Sequence, residues 1–266
     1  MLREKVTMLI FSCDKFSDLW DAHVKQLEAY WPDREIDTYI VTDAPQERAY
    51  ERVKILAAGA DKEFSERLEF ALKQVKTEYV FVTLDDYFLI QTVKNEQIRQ
   101  LVSMMDQEKL DYVRLFARPK RATGEAVKGY EGMRWIHTEN PYSVNLYVGL
   151  WRKSFMAQTV RDVRDPWRFE VSLAGIATEL KARCVVSDRQ EFKILDVVRK
   201  GKILNKANRY FKKHDSYRGN REVHTYWYEI KLGIRTWGAR HAPRWMVNAA
   251  RKFMIKRGHR YYSQED

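Results

Sequence analysis

The chain has 266 residues, 45% of them hydrophobic, 13% aromatic and 32% charged, with a formal net charge of +11. That length suits one large α/β domain or a domain with an appendage, and the aromatic content excludes a disordered chain. Cys13 and Cys184 are too few for a disulfide framework, no stretch reaches the roughly 18–20 apolar residues of a membrane span, and the N-terminus lacks a secretory h-region, so the expected location is the cytoplasm.

Residues 5–12, K-V-T-M-L-I-F-S, read as a short buried strand. Helical spacing of Leu19, Trp20, Val24, Leu27 and Trp31 follows, stopped at Pro32 and Asp33. Residues 36–43 predict a second strand, and 53–57 a third. A helix over about 65–75, with Ser65 as its N-cap, leads into a strand at 78–84. This alternation predicts a mixed, mostly parallel sheet flanked by helices, an α/β fold of Rossmann-like type. Ligands in such sheets sit at the carboxyl ends of the strands. Asp14, Asp43, Asp85 and Asp86 all fall at or just past predicted strand ends.

Further on, the pattern predicts a helix over 95–108, a strand over 111–117, and an exposed, glycine-bearing loop over 118–132. An apolar strand through Y-S-V-N-L-Y-V-G-L-W and another near 182–186 follow. From about 199 the chain turns basic, aromatic and helical. Residues 199–260 hold 18 Lys/Arg against Asp215, Glu222 and Glu229, while residues 1–198 hold 30 basic residues against 32 acids. The expected division is a catalytic domain at 1–198 and a basic C-terminal region at 199–266. Such asymmetry points to a polyanionic partner, phospholipid or nucleic acid.

Asp85 and Asp86 interrupt an apolar run, Y-V-F-V-T-L-D-D-Y-F-L-I. A pair of acids at a strand end can hold a divalent metal against a diphosphate, orient sugar hydroxyls, or cap the following turn. The six histidines have no metal-ligand spacing, and no G-x-S-x-G or cysteine–histidine signature marks a hydrolase.

The run F-S-E-R-L-E-F-A-L-K-Q-V-K-T-E-Y-V-F-V-T-L-D-D-Y-F resembles the central segment of GT-A fold glycosyltransferases, notably those of bacterial capsular and O-antigen polysaccharide synthesis. V-N-L-Y-V-G-L-W-R-K-S-F and D-P-W-R-F-E resemble two further segments of these enzymes, and the likeness covers roughly residues 5–200. It implies transfer of a sugar from a nucleoside diphosphate sugar, UDP type favoured, to a saccharide acceptor, free or carried on a lipid. Asp14, Asp43, Arg67, Asp85 and Asp86 would bind the donor, Glu170 would be the catalytic base of an inverting transfer, and Trp151 and Trp167 would line the sugar or acceptor pocket. The usual D-x-D motif is broken, because Tyr87 follows Asp86. Asp86 is then the metal candidate for Mn2+ or Mg2+. No G-x-G-x-x-R occurs near the N-terminus, which disfavours a sugar nucleotidyltransferase. A different-class alternative is a non-catalytic polyanion-binding protein.

Residues 242–257, A-P-R-W-M-V-N-A-A-R-K-F-M-I-K-R, predict a basic amphipathic helix, with Pro243 at its first turn. Trp245 and Phe253 with Arg251 and Lys252 suit an anionic membrane surface better than nucleic acid, the other alternative being a helix that packs its apolar face on the catalytic domain. With a lipid-carried acceptor, the resemblance implies a place at the inner membrane face.

Overall fold

A computed structural model describes residues 1–116, 123–188, 192–217, 219–241 and 246. Two compact units emerge, Met1–Leu195 and Asp196–Asp266.

The first unit is built on a nine-stranded sheet. In chain order its elements are α1 (Leu2–Lys5), β1 (Val6–Phe11), a 3-10 turn (Asp14–Leu19), α2 (Trp20–Tyr30), β2 (Asp37–Thr42), β3 (Lys54–Ala57) and α3 (Phe64–Gln74). Then come β4 (Tyr79–Leu84), β5 (Tyr87–Leu89), α4 (Asn95–Gln107), β6 (Tyr112–Arg114), β7 (Thr123–Ala126) and β8 (Met133–Ile136). The last are β9 (Gly149–Arg152), α5 (Lys153–Gln158), α6 (Pro166–Glu179) and β10 (Cys184–Ser187). The strand order is β3-β2-β1-β4-β9-β6-β10-β8-β7. β3, β2, β1 and β4 are mutually parallel, and β6 pairs parallel with β10. β9 runs antiparallel between β4 and β6, and β8 antiparallel between β10 and β7.

Alternating side chains split the apolar run of each central strand between two cores. Met8 and Ile10 of β1 and Tyr79 and Phe81 of β4 pack with Trp20, Leu27 and Trp31 of the α2 segment and with α4. Leu9 and Phe11, with Val80 and Val82, pack on the other face against α3, α5 and α6. The α/β expectation holds, with a sheet more mixed beyond β4 than the strand–helix alternation implied.

Three expectations need correction. The helix expected from Ser65 starts one residue earlier, after Glu63. Ser65 is fully buried and its hydroxyl accepts from Arg164 N at 2.8 Å, while Ser65 N donates to Arg164 O at 3.1 Å. Its hydroxyl therefore ties α3 to the entry of α6 instead of capping. Part of the loop expected over 118–132 is strand β7, which turns through Gly129 (φ +84°) and Gly132 (φ +80°) into β8. Such left-handed backbone favours glycine, so those glycines mark a hairpin turn within the expected loop. The long strand expected through residue 151 is confined to Gly149–Arg152, and the residues before it form an irregular rim segment.

In the second unit, β12 (Val198–Arg199) and β13 (Lys202–Ile203) form a short hairpin after β11 (Ile194–Asp196), followed by α7 (Asn205–His214) and α8 (Tyr226–His241). Trp245, Arg251, Lys252 and Phe253, and the helix expected over 242–257, lie outside the described residues.

Candidate active site

Parallel strands β1, β2 and β4 end at one rim. Backbone bonds carry the sheet just past their ends: Ser12 N donates to Val41 O at 2.8 Å, and Asp85 N to Phe11 O at 3.1 Å. The side chains that follow each strand are therefore fixed side by side. That is why residues as distant in sequence as 14, 43 and 85 meet.

Asp43 is the best-held carboxylate. Its Oδ1 accepts from Asp14 N at 2.6 Å, Thr42 Oγ1 at 3.0 Å and Ala44 N at 3.0 Å. Partial burial opposes ionisation, but these donors outweigh it and hold the carboxyl below its ordinary range. Arg67, projecting from α3, brings Nη1 to 3.8 Å from Asp43 Oδ2 and donates it to Lys62 O at 3.0 Å. Its Nε is buried without a hydrogen-bond partner. Asp14 accepts from Gln46. Cys13, half-buried between these groups, has its thiol pushed up by burial and by the Asp85 and Asp43 charges, so it stays protonated.

The two adjacent aspartates have different environments. Asp85 is 7% exposed. Its Oδ2 accepts from Ser12 Oγ, which in turn accepts from Trp20 Nε1 at 2.7 Å. His23 Nδ1 lies 3.0 Å from the Asp85 carbonyl oxygen, so this nitrogen carries the proton and donates. Burial pulls the His23 pKa down to about 4, and the ring stays neutral, packed on Phe88 at 5.0 Å. Asp86 is half-buried on the turn between β4 and β5, next in chain to the buried Asp85. Among the described residues no three His, Cys, Asp or Glu side chains group as a metal cage. Asp86, the metal candidate of the sequence, is accordingly a single carboxylate outside any such group.

The antiparallel course of β9 brings its entry segment, 143–148, to the rim where β4 and β6 end. There Leu146 N donates to Glu170 Oε1 at 3.1 Å. Glu170 stands in the second turn of α6, whose start is fixed by Pro166 and by Asp165 Oδ1 accepting from Trp167 N and Arg168 N at 2.9 and 3.0 Å. Tyr147, next in chain to Leu146, places its ring 5.7 Å from Tyr87 and 5.3 Å from Phe116. Tyr87 directly follows Asp86. The acid pair and Glu170 are thus linked through a half-exposed aromatic shelf.

Of the residues the sequence singles out, Asp14, Asp43 and Arg67 come together, Asp85 and Asp86 border them along the sheet, and Glu170 joins through the shelf. Trp167 is 59% exposed at the start of α6, open to a ligand. Trp151 is a correction. It is 0% exposed, its ring packed 4.1 Å from Tyr112 and stacked 5.9 Å from Phe155, so it builds the core and cannot line a pocket. Phe169, one residue before Glu170, likewise turns inward, onto Phe64 at 5.3 Å.

Sequence reasoning missed Ser12, Trp20 and His23, the groups that hold Asp85. It also passed over Arg114, fully buried at the end of β6 with Nη1 donating to Ser143 O at 2.7 Å. The signal for Arg114 was present: a single arginine inside the apolar strand Y-V-R-L-F is too costly to bury without a purpose. Nothing in sequence spacing reveals that Ser12 reaches Asp85.

No protein-family model and no curated protein matches the chain. Among solved structures, S. aureus TarS 1–349 is 12% identical over 71% of this chain and 59% of its own, with a TM-score of 0.48. The same protein in complex with UDP-GlcNAc is 14% identical over 75% and 60%, with a TM-score of 0.46. UDP-glucose pyrophosphorylase complexed with UDP-glucose is 11% identical over 72% and 92%, with a TM-score of 0.45. The chain therefore spans less than two-thirds of the TarS chain. At such identities the likeness is one of chain course, and the roles of the residues rest on their own chemistry.

Proposed function

We propose that this chain is a GT-A type glycosyltransferase that moves a sugar from a nucleoside diphosphate sugar, UDP type favoured, to a saccharide acceptor. The observation that supports it most is the meeting of two kinds of group at one rim: Asp43, held ionised by neutral donors beside Asp14 and Arg67, and a carboxylate brought there on a separate helix. Asp43, Asp14 and Arg67 receive the nucleotide, Asp43 accepting from base or ribose. Asp85 and Asp86 stand at the diphosphate–sugar junction. A divalent cation on Asp86 would neutralise charge on the departing diphosphate.

Glu170 accepts the proton of the acceptor hydroxyl as that oxygen attacks the anomeric carbon. The new glycosidic C–O bond forms as the bond to the diphosphate oxygen breaks, and the nucleoside diphosphate leaves with the electron pair. Direct in-line attack inverts the anomeric centre. Exposed Trp167 and the Tyr87–Tyr147 shelf offer flat faces to sugar rings, whose apolar C–H faces stack on aromatics.

Thermal unfolding against nucleoside mono-, di- and triphosphates and nucleotide-sugars, with and without manganese, tests this reading. A nucleotide at a hundred times its Kd adds about 2.7 kcal/mol. The expected outcome is a rise in Tm with UDP or a UDP-sugar that Asp43→Ala abolishes. Glu170→Gln should keep that rise while turnover drops by roughly two orders of magnitude, the scale of general-base catalysis. A response confined to a nucleoside triphosphate with a sugar phosphate would instead identify a nucleotidyltransferase. A folded protein that no nucleotide stabilises would remove the transferase reading.

A further inference from the structure

Helix α8 is amphipathic with its apolar face turned outward. Trp227 is 70% exposed, Ile234 66% and Trp237 65%. With Tyr226 and half-buried Ile230 they occupy one side at i, i+3, i+4 and i+7 spacing. Tyr228, Glu229 and Leu232, on the opposite side, are less exposed. Large apolar side chains thus stand outward on a face where polar ones are usual. Large exposed apolar side chains gathered on one face mark an interaction surface.

Charge decides the occupant. Residues 199–260 carry 18 Lys/Arg against three acids. Within α8, Lys231 is exposed beside the stripe, and α7 ends in Lys212, Lys213 and His214. A partner protein core would leave that charge uncompensated, whereas a bilayer of anionic lipids takes both features at once. Tryptophan is also the residue best suited to the headgroup boundary. Among the described residues no helix is long and apolar enough to cross a membrane, so the contact is interfacial.

We propose that the outward face of α8, centred on Trp227 and Ile234, lies in the surface of an anionic phospholipid bilayer. This inference goes beyond the transferase reading and is independent of donor binding. It also differs from the expectation placed on residues 242–257, since the element that carries it is α8.

The test is co-sedimentation of the full chain with vesicles of phosphatidylcholine alone and of phosphatidylcholine with 30 mol% phosphatidylglycerol. The wild-type chain should pellet with the anionic vesicles. Trp227→Ser/Ile234→Ser, which keeps every charge, should partition at least tenfold more weakly at an unchanged Tm. Equal pelleting of variant and wild type would mean charge alone binds, and would overturn the proposal. So would failure of the wild-type chain to pellet. A large loss of Tm in the variant would show that the face is covered by this chain itself, and a wild-type dimer dissociated by the variant would assign it to a second copy. Either result overturns the lipid assignment. A UDP-induced Tm rise retained in the variant separates this outcome from any failure of the transferase reading.

Discussion

The two ends of the central sheet are both charged, yet they treat charge in opposite ways. At the amino ends of β2 and β3 lies a cleft of about 310 Å3 lined by Arg3, Arg34, Glu35, Asp37, Arg52 and Lys54. There basic groups meet acids. Arg34 and Arg52 share Glu28 at 2.7 and 3.0 Å, Arg3 meets Asp37 at 2.7 Å, and Arg99 meets Glu35 at 2.5 Å. At the carboxyl ends, Asp43 and Asp85 are held mainly by backbone N–H groups and hydroxyls. Neutral donors fix a carboxylate without cancelling its charge. A cleft whose ions pair closely with one another is architecture, whereas the rim, where Arg67 stays 3.8 Å from Asp43 and neutral donors orient the carboxylate, leaves charge for a ligand to meet.

The comparison predicts that substitutions at the two ends fail in different assays. Arg34 has a fully buried side chain that donates to Thr38 Oγ1 at 2.8 Å and to Glu28 Oε1 at 2.7 Å. Arg34→Ala leaves Glu28 with Arg52 as its partner, takes a donor from Thr38 Oγ1 and empties a fully buried space, at a cost of about 3–5 kcal/mol. Denaturant unfolding should show the loss, while UDP affinity of the folded fraction stays within twofold of wild type. If UDP binding fell as well without further unfolding, the cleft would belong to the ligand site.

His23 supplies the next largest effect, through pH. Burial lowers its folded pKa to about 4, against an ordinary value of 6.5. Between these values the unfolded chain binds a proton that the folded chain excludes, so stability rises with pH across that window. Acidification from pH 6.5 to 4 should therefore cost about 3 kcal/mol through this one group. His23→Gln, which can still donate to the Asp85 carbonyl, should flatten that part of the stability–pH profile. A profile as steep as wild type in the variant would show that other groups govern it.

Much of this was legible from the chain, for identifiable reasons. Strands β1, β2 and β4 announce themselves as short apolar runs, and their parallel alternation with helices is enough to put Asp14, Asp43 and Asp85 at one rim. Trp151 was misread because local sequence gives a residue's type and not its direction. One residue's shift along a strand exchanges core for surface, and Trp151 sits on β9 facing Tyr112. The Trp20–Ser12–Asp85 relay was invisible because it joins residues 8 and 73 positions apart. Nor does composition alone disclose that the stripe of α8 faces outward, since an amphipathic pattern reads the same in either orientation.

The smallest expected effect probes the aromatic shelf. Tyr147 neighbours both Tyr87 and Phe116, and none of the three is fully buried. If the shelf carries a sugar ring, Tyr147→Ala removes one stacked face, worth about 0.5–1.5 kcal/mol by analogy with aromatic pairs. That corresponds to roughly a 2- to 12-fold rise in acceptor KM. Affinity for UDP should stay unchanged, because Asp43 follows β2 and Arg67 stands on α3. Tyr147→Phe keeps the face and should behave as wild type. A fall in Tm with no change in acceptor KM would reduce the shelf to packing between β5 and the segment before β9. Glu170 would then be left without an aromatic surface to present an acceptor to it, and Trp167, exposed at the start of the same helix, would become the next side chain to substitute.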